Sequence, residues 1–148
     1  MMPASETIHT LEQLSEYTQQ IVSQLSADSI SGDATVITLH GDLGAGKTTL
    51  TQHLARALKV TEEVSSPTFV IAKYYDLKNQ TWKRLIHIDA YRLDGEPLEP
   101  MGFDELFSDP TNLLIIEWPE YIESVLPKDR TDLSITINDD ESRTIQLT

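Results

Sequence analysis

Cysteine is absent from the 148 residues, which excludes disulfides and thiolate-held zinc or iron–sulfur sites. Basic residues are scarce. Eleven Lys and Arg stand against 24 Asp and Glu, a formal charge of −13. A chain that grips RNA or DNA by itself normally carries a basic patch that displaces counterions from phosphates, so any contact with RNA is expected to pass through partners. The acidity is uneven: residues 1–93 hold eight basic and ten acidic side chains, residues 94–148 three and fourteen. Long apolar runs are missing too. None approaches the roughly 20 residues that cross a bilayer, and "MMPASETIHTLEQL" lacks a basic start followed by an apolar stretch. A soluble, cytoplasmic protein is the expectation, and the length fits one globular domain over residues 1–148.

What is present has α/β periodicity. Thr10-x-x-Gln13 reads as a capping box, and Leu11, Leu14, Ile21 and Leu25 recur at helical spacing on a face that should lie on a sheet. "TVITLH" (35–40) reads as a strand feeding a glycine-rich loop, after which Leu50, Leu54 and Leu58 mark a helix to about residue 58. "FVIAKYYDL" and "WKRLIHIDAY", separated by "KNQT", read as an antiparallel hairpin. Residues 94–109 suggest short helices and loops. "LLII" (113–116) has the unbroken apolar character of a strand covered on both faces, and "DLSITIN" with "RTIQL" alternates as a half-exposed terminal hairpin.

The stretch "GDLGAGKTTL" contains Gly41-x-x-x-x-Gly46-Lys47-Thr48 between a strand and a helix. Glycines there let consecutive backbone N–H groups converge on phosphate oxygens, and the following helix adds its positive end. Lys47 is expected to reach the β and γ phosphates and the Thr48 hydroxyl to bind Mg²⁺. Such a site needs an acid at the end of a nearby strand. Asp89 closes "LIHID" and Glu117 closes "LLIIE", and composition leaves the choice between them open. Trp118 reads first as packing, Arg92 as a surface arginine beside a carboxylate, and His9, His40, His53 and His87 as structural, with no metal-ligand spacing. The fold expected is a P-loop NTPase: a central, mostly parallel sheet flanked by helices, with antiparallel hairpins.

Four segments in order, "GDLGAGKTTL", "SSPTF", "HIDAYRL" and "IEWPE", resemble the TsaE family of bacterial ATPases, formerly the YjeE family, over nearly the whole chain. The resemblance implies a part in making threonylcarbamoyladenosine (t6A) beside the anticodon of tRNAs that read codons beginning with A. It implies hydrolysis of ATP with Mg²⁺, while the threonylcarbamoyl transfer belongs to TsaD, which pairs with TsaB and on which the family member docks. Carried over by residue, Asp42, Gly44, Ala45, Gly46, Lys47, Thr48 and Thr49 form the nucleotide loop, and Thr48 with Glu117 ligates Mg²⁺. Asp89 matches a functionally needed aspartate, and Ser66 and Thr68 are candidate γ-phosphate sensors. Thr10, or Thr7, matches a nucleotide-touching threonine, Trp118 the family's tryptophan, and Arg143 an arginine of the terminal hairpin. Ile88 and Ala90 depart from the Phe and Leu of many relatives' "HFDLYRL".

Other functions are weighed against this. A small-molecule or nucleoside kinase uses the same loop, but no arginine-rich lid is evident. A GTPase would need an Asn-Lys-x-Asp segment, which is absent. A pure nucleotide-dependent binding module stays open.

Overall fold

The computed structural model describes residues 4–28, 32–42, 44–64 and 72–148. Its strands are β1 (Ser5–Ile8), β2 (Thr35–His40), β3 (Ala72–Asp76), β4 (Arg84–Asp89), β5 (Asn112–Glu117), β6 (Thr131–Ile137) and β7 (Arg143–Leu147). Its helices are α1 (Leu11–Asp28), α2 (Lys47–Ala57) and the short α3 (Phe103–Phe107). Single-turn 3₁₀ segments cover Tyr91–Leu93 and Glu99–Met101, and two further short turns, separated by a kink at the non-helical Ile122 (φ −127°, ψ 21°), lie within Pro119–Val125.

The strands form one sheet in the order β1-β7-β6-β2-β5-β4-β3. Its centre is parallel, with β2 between β5 and β6, and β4 beyond β5. The antiparallel partners are added at the edges: β3 on β4, β7 on β6, and β1 on β7. β5 is buried at every position, as its unbroken apolar run requires of a strand covered on both faces. The β3–β4 hairpin pairs Ala72 with Ile88 through Asp76 with Arg84.

Alternation along the strands sorts side chains into two cores. Ile37, Leu39, Leu85, Leu113 and Ile115 pack under α1 and α2 with Leu14, Tyr17, Ile21, Leu50 and Leu54. Val36, Ile86, Ile88, Leu114 and Ile116 face the other way, against Phe103, Phe107 and Ile122. Ile88 and Ala90 are fully buried there, so the two departures from "HFDLYRL" are packing residues.

The capping box at α1 forms: the Gln13 N–H donates to Thr10 Oγ1 at 3.1 Å, and the His9 and Thr10 N–H groups donate to Gln13 Oε1 at 2.7 and 3.3 Å. Three details depart from the sequence reading or add to it. Leu11, counted with the buried face, is 66% exposed; it sits in the first turn, where it lines a cavity and not the core. The half-exposed final hairpin forms as expected, and β6 in addition runs parallel to β2, pairing Ile37 with Thr131 through His40 with Ser134. And β1 is an additional strand, four residues long with only Ile8 buried.

Candidate active site

β2, β4 and β5 end on the same edge of the parallel sheet, the edge where open α/β folds bind ligands. From β2 the chain turns through the glycine loop into α2. Gly46 caps this helix at φ 105°, with no side-chain cap, a left-handed conformation that a Cβ disfavours. At Gly41 the constraint is space, since a Cβ would lie 2.9 Å from the Ile135 carbonyl oxygen. The first intrahelical bond of α2 runs from the Leu50 N–H to the Gly46 carbonyl at 2.9 Å, which leaves the N–H groups of Lys47, Thr48 and Thr49 without helical partners. Loop carbonyls are meanwhile engaged within the protein: Asp42 by the Ala45 N–H (3.0 Å) and Ala45 by Arg143 Nε (3.1 Å). The open donors and the dipole together make an anion-binding end.

Across from it stand the two carboxylates. Asp89 and Glu117 are paired in the β4–β5 register and lie on the same sheet face as α2, the face of Leu85, four residues before Asp89 on β4, and of Ile115, two residues before Glu117 on β5. Glu117 is 3% exposed. Its Oε2 is 2.5 Å from Nε2 of His87, which is itself fully buried. Asp89 Oδ1 accepts the Tyr91 N–H at 3.0 Å. A cavity of about 420 Å³ is lined by both acids together with Gly44, Gly46, Lys47, Thr48, Thr49, Tyr91 and Trp118.

Lys47 is buried, and its Nζ donates to the Gly41 carbonyl at 2.5 Å. The same ammonium lies 3.7 Å from the centre of the Trp118 ring, a cation–π contact worth about 0.5–2 kcal/mol. Trp118 adopts φ 56° and ψ 50°, left-handed geometry that costs a non-glycine residue about 1–2 kcal/mol. That strain turns the ring between Lys47 and the aromatic pair Tyr91 and Tyr121, whose centroids are 5.1 and 6.2 Å away.

A second cavity, about 290 Å³, adjoins the loop on the α1 side. Ala45, Gly46 and Thr49 form its floor, Thr10 and Arg143 contribute polar groups, and Ile8, Leu11, Leu14, Leu50, Ile135 and Ile145 supply apolar walls. The two cavities share Gly46 and Thr49. Of the residues expected at the site, Gly44, Lys47, Thr48, Asp89, Glu117 and Trp118 meet in the first cavity and Thr10 and Ala45 in the second. Asp42 lines neither and faces a groove beside β6. Ser66 and Thr68 lie outside the described residues, and Arg92 is exposed and lines neither cavity. The sequence reading missed the tie between His87 and Glu117. Its signal was "HID": residues two apart on a strand share a face.

Among the described residues no three His, Asp or Glu side chains cluster as a metal cage. The donor set present, one hydroxyl and two carboxylates beside an anion-binding helix end, fits Mg²⁺, which takes one or two protein oxygens and completes its shell with phosphates and water. No helix among the described residues is long and apolar enough to cross a membrane.

A phosphate loop rising from a central parallel strand, with acids closing the adjacent strands, defines a P-loop nucleoside triphosphatase. The profile of the threonylcarbamoyl adenosine biosynthesis protein TsaE matches residues 8–145. The chain is 41% identical over 133 residues to the tRNA threonylcarbamoyladenosine biosynthesis protein TsaE of Bacillus subtilis, covering 90% of this chain and 80% of that one. To the protein of the same name from Haemophilus influenzae it is 37% identical over 116 residues, covering 77% and 70%. The crystal structure of YdiB from Bacillus subtilis superposes with a TM-score of 0.73 at 31% identity, over 97% of this chain and 82% of that one. The chain belongs to the TsaE family.

Proposed function

We propose that residues 1–148 act as one P-loop ATPase domain in the cytoplasm, cycling ATP to support t6A synthesis. As a TsaE-family protein the chain is the ATP-hydrolysing component of that modification and acts with TsaB and TsaD. The threonylcarbamoyl group is transferred elsewhere, and tRNA is held through the partners, which suits a chain of charge −13.

The observation that carries the residue-level reading is the register pairing of Asp89 with Glu117, facing Lys47 and Thr48 across one cavity. The N–H groups of Lys47, Thr48 and Thr49 and the Lys47 ammonium receive the β and γ phosphates. Thr48 Oγ1 and Glu117 hold Mg²⁺, which when bound neutralises phosphate charge. Asp89 orients the attacking water for in-line displacement, the donors being already placed where charge develops. Trp118 closes the cavity over the phosphates. The adenosine end enters the second cavity, whose apolar walls and few polar groups suit a base and ribose, with Thr10 and Arg143 at its rim. Ser66 and Thr68 complete the set as sensors of the γ phosphate.

The test is hydrolysis by the purified chain with and without TsaB and TsaD. Phosphate release stimulated by the partners is expected, with Glu117→Gln lowering it at least tenfold. Equal rates in both conditions together with no binding to the partners would overturn the reading. A phosphorylated metabolite formed in step with ADP would point to a kinase instead.

A further inference from the structure

One buried group at the site has no part in the scheme above. His87 is fully buried in β4, and its Nε2 lies 2.5 Å from Glu117 Oε2, reaching diagonally across the β4–β5 register from its own partner position, Ile115. Its Nδ1 meets no hydrogen-bonding partner among the described residues. An imidazole there leaves one polar atom unmet, a cost that an aliphatic side chain such as Leu85, two residues earlier on the same face and equally buried, does not carry. The compensating contact goes to Glu117. With the carboxylate as acceptor, Nε2–H is the donor and Nδ1 carries the lone pair.

We propose that His87 is a positioning residue: by holding Oε2 it fixes the Glu117 carboxylate in one orientation and leaves Oε1 as the oxygen offered to the cation. The proposal rests on the assignment of Glu117 as a Mg²⁺ ligand. Groups that orient a metal-binding side chain typically contribute tenfold to a hundredfold in metal affinity or activity. The orientation is needed here because the β5 backbone and burial fix where the carboxylate sits, but not the rotation of its terminal group, which is broad and roughly two-fold.

The experiment measures Mn²⁺ binding to the ADP-bound protein by loss of the free-ion paramagnetic resonance signal, alongside metal-free ADP binding by fluorescence. His87→Leu should weaken Mn²⁺ binding by about tenfold to a hundredfold while metal-free ADP affinity stays within about twofold. His87→Gln, whose amide nitrogen reaches the Nε2 position, should recover most of the loss; His87→Asn, whose amide stops at the Nδ1 position, should not. Should the leucine variant fail to fold, the Gln and Asn variants decide, since equal Mn²⁺ affinities in those two overturn the proposal. Glu117→Gln is measured beside them. If it weakens Mn²⁺ binding and His87→Leu does not, the role of His87 is overturned and that of Glu117 stands. If Glu117→Gln leaves Mn²⁺ binding unchanged, the ligand assignment falls and takes the proposal with it.

Discussion

The Lys47 ammonium sits over the face of Trp118, 3.7 Å from the ring centre, while donating to the Gly41 carbonyl. Both contacts occupy the group expected to meet phosphate, so nucleotide must draw Lys47 away from the ring. Adding ATP with Mg²⁺ should therefore change tryptophan emission. The chain has two tryptophans, and Trp82 is buried with its indole N–H bonded to Thr35 Oγ1, so the response belongs to Trp118. It should vanish in Trp118→Phe. A full response in that variant would show that Lys47 and Trp118 are not coupled.

Thr10 has two duties, as cap of α1 and as a wall of the second cavity. Thr10→Ala should cost about 1 kcal/mol from the lost cap, lowering Tm by about 2–4 °C for a domain of this size. Thr10→Ser keeps the hydroxyl and should restore both stability and nucleotide affinity. Calorimetry and nucleotide titration of the two variants separate the duties.

Leu11 is the exposed residue that helical spacing assigned to the core. Because it is exposed, Leu11→Ala should change stability by less than about 0.5 kcal/mol. The substitution removes a methine and two methyl groups, and loss of one or two of these three carbons from contact with the base should weaken ATP binding about fourfold to fifteenfold, at about 0.8 kcal/mol per group buried. An affinity unchanged by the substitution would place the base elsewhere.

Acid stability should depend on Asp132, which is paired in register with Thr38 on β2. Burial alone would push its carboxyl up, but hydrogen bonds from Thr38 and Arg130, with the charges of Arg130 and His40, hold it below the ordinary 3.8. Asp140 is lowered too, by the hydroxyl and backbone N–H of Ser142. Carboxylates lowered in the folded state stabilise it fully above the unfolded value, and that contribution is lost as pH falls through the folded one. Tm should thus decline below about pH 4, and less steeply in Asp132→Asn. An identical decline in the variant would remove Asp132 from the account.

Much of the scaffold around the loop was legible because its signals are local. The strand at Thr35–His40, the glycine loop and the start of α2 follow one another within a few residues, and β5 declares itself by an apolar run with no polar interruption. What needed the structure was pairing between distant segments. The choice between Asp89 and Glu117 could not be made from composition; the β4–β5 register makes them neighbours, so both face one cavity. The bond from His87 to Glu117 depends on that same register, although the shared face of His87 and Asp89 was there to be read. β1 was illegible for a different reason: four residues with a single buried side chain carry too short a pattern to distinguish a strand from the lead-in to a helix. The sheet order likewise reflects contacts far apart in the chain, which no local window contains.

β1 and β7 pair residues 5–8 with residues 143–146, and the pair lies beside the cavity lined by Ile8, Arg143 and Ile145. The seam where the first and last strands meet is therefore also a wall of that cavity. Loosening either strand opens that wall, while a nucleotide seated against it would hold the seam shut. With the adenosine end placed there as proposed, ligand occupancy and the closure of the chain on itself are coupled, and protection of the β1–β7 amides against hydrogen exchange should rise with nucleotide concentration.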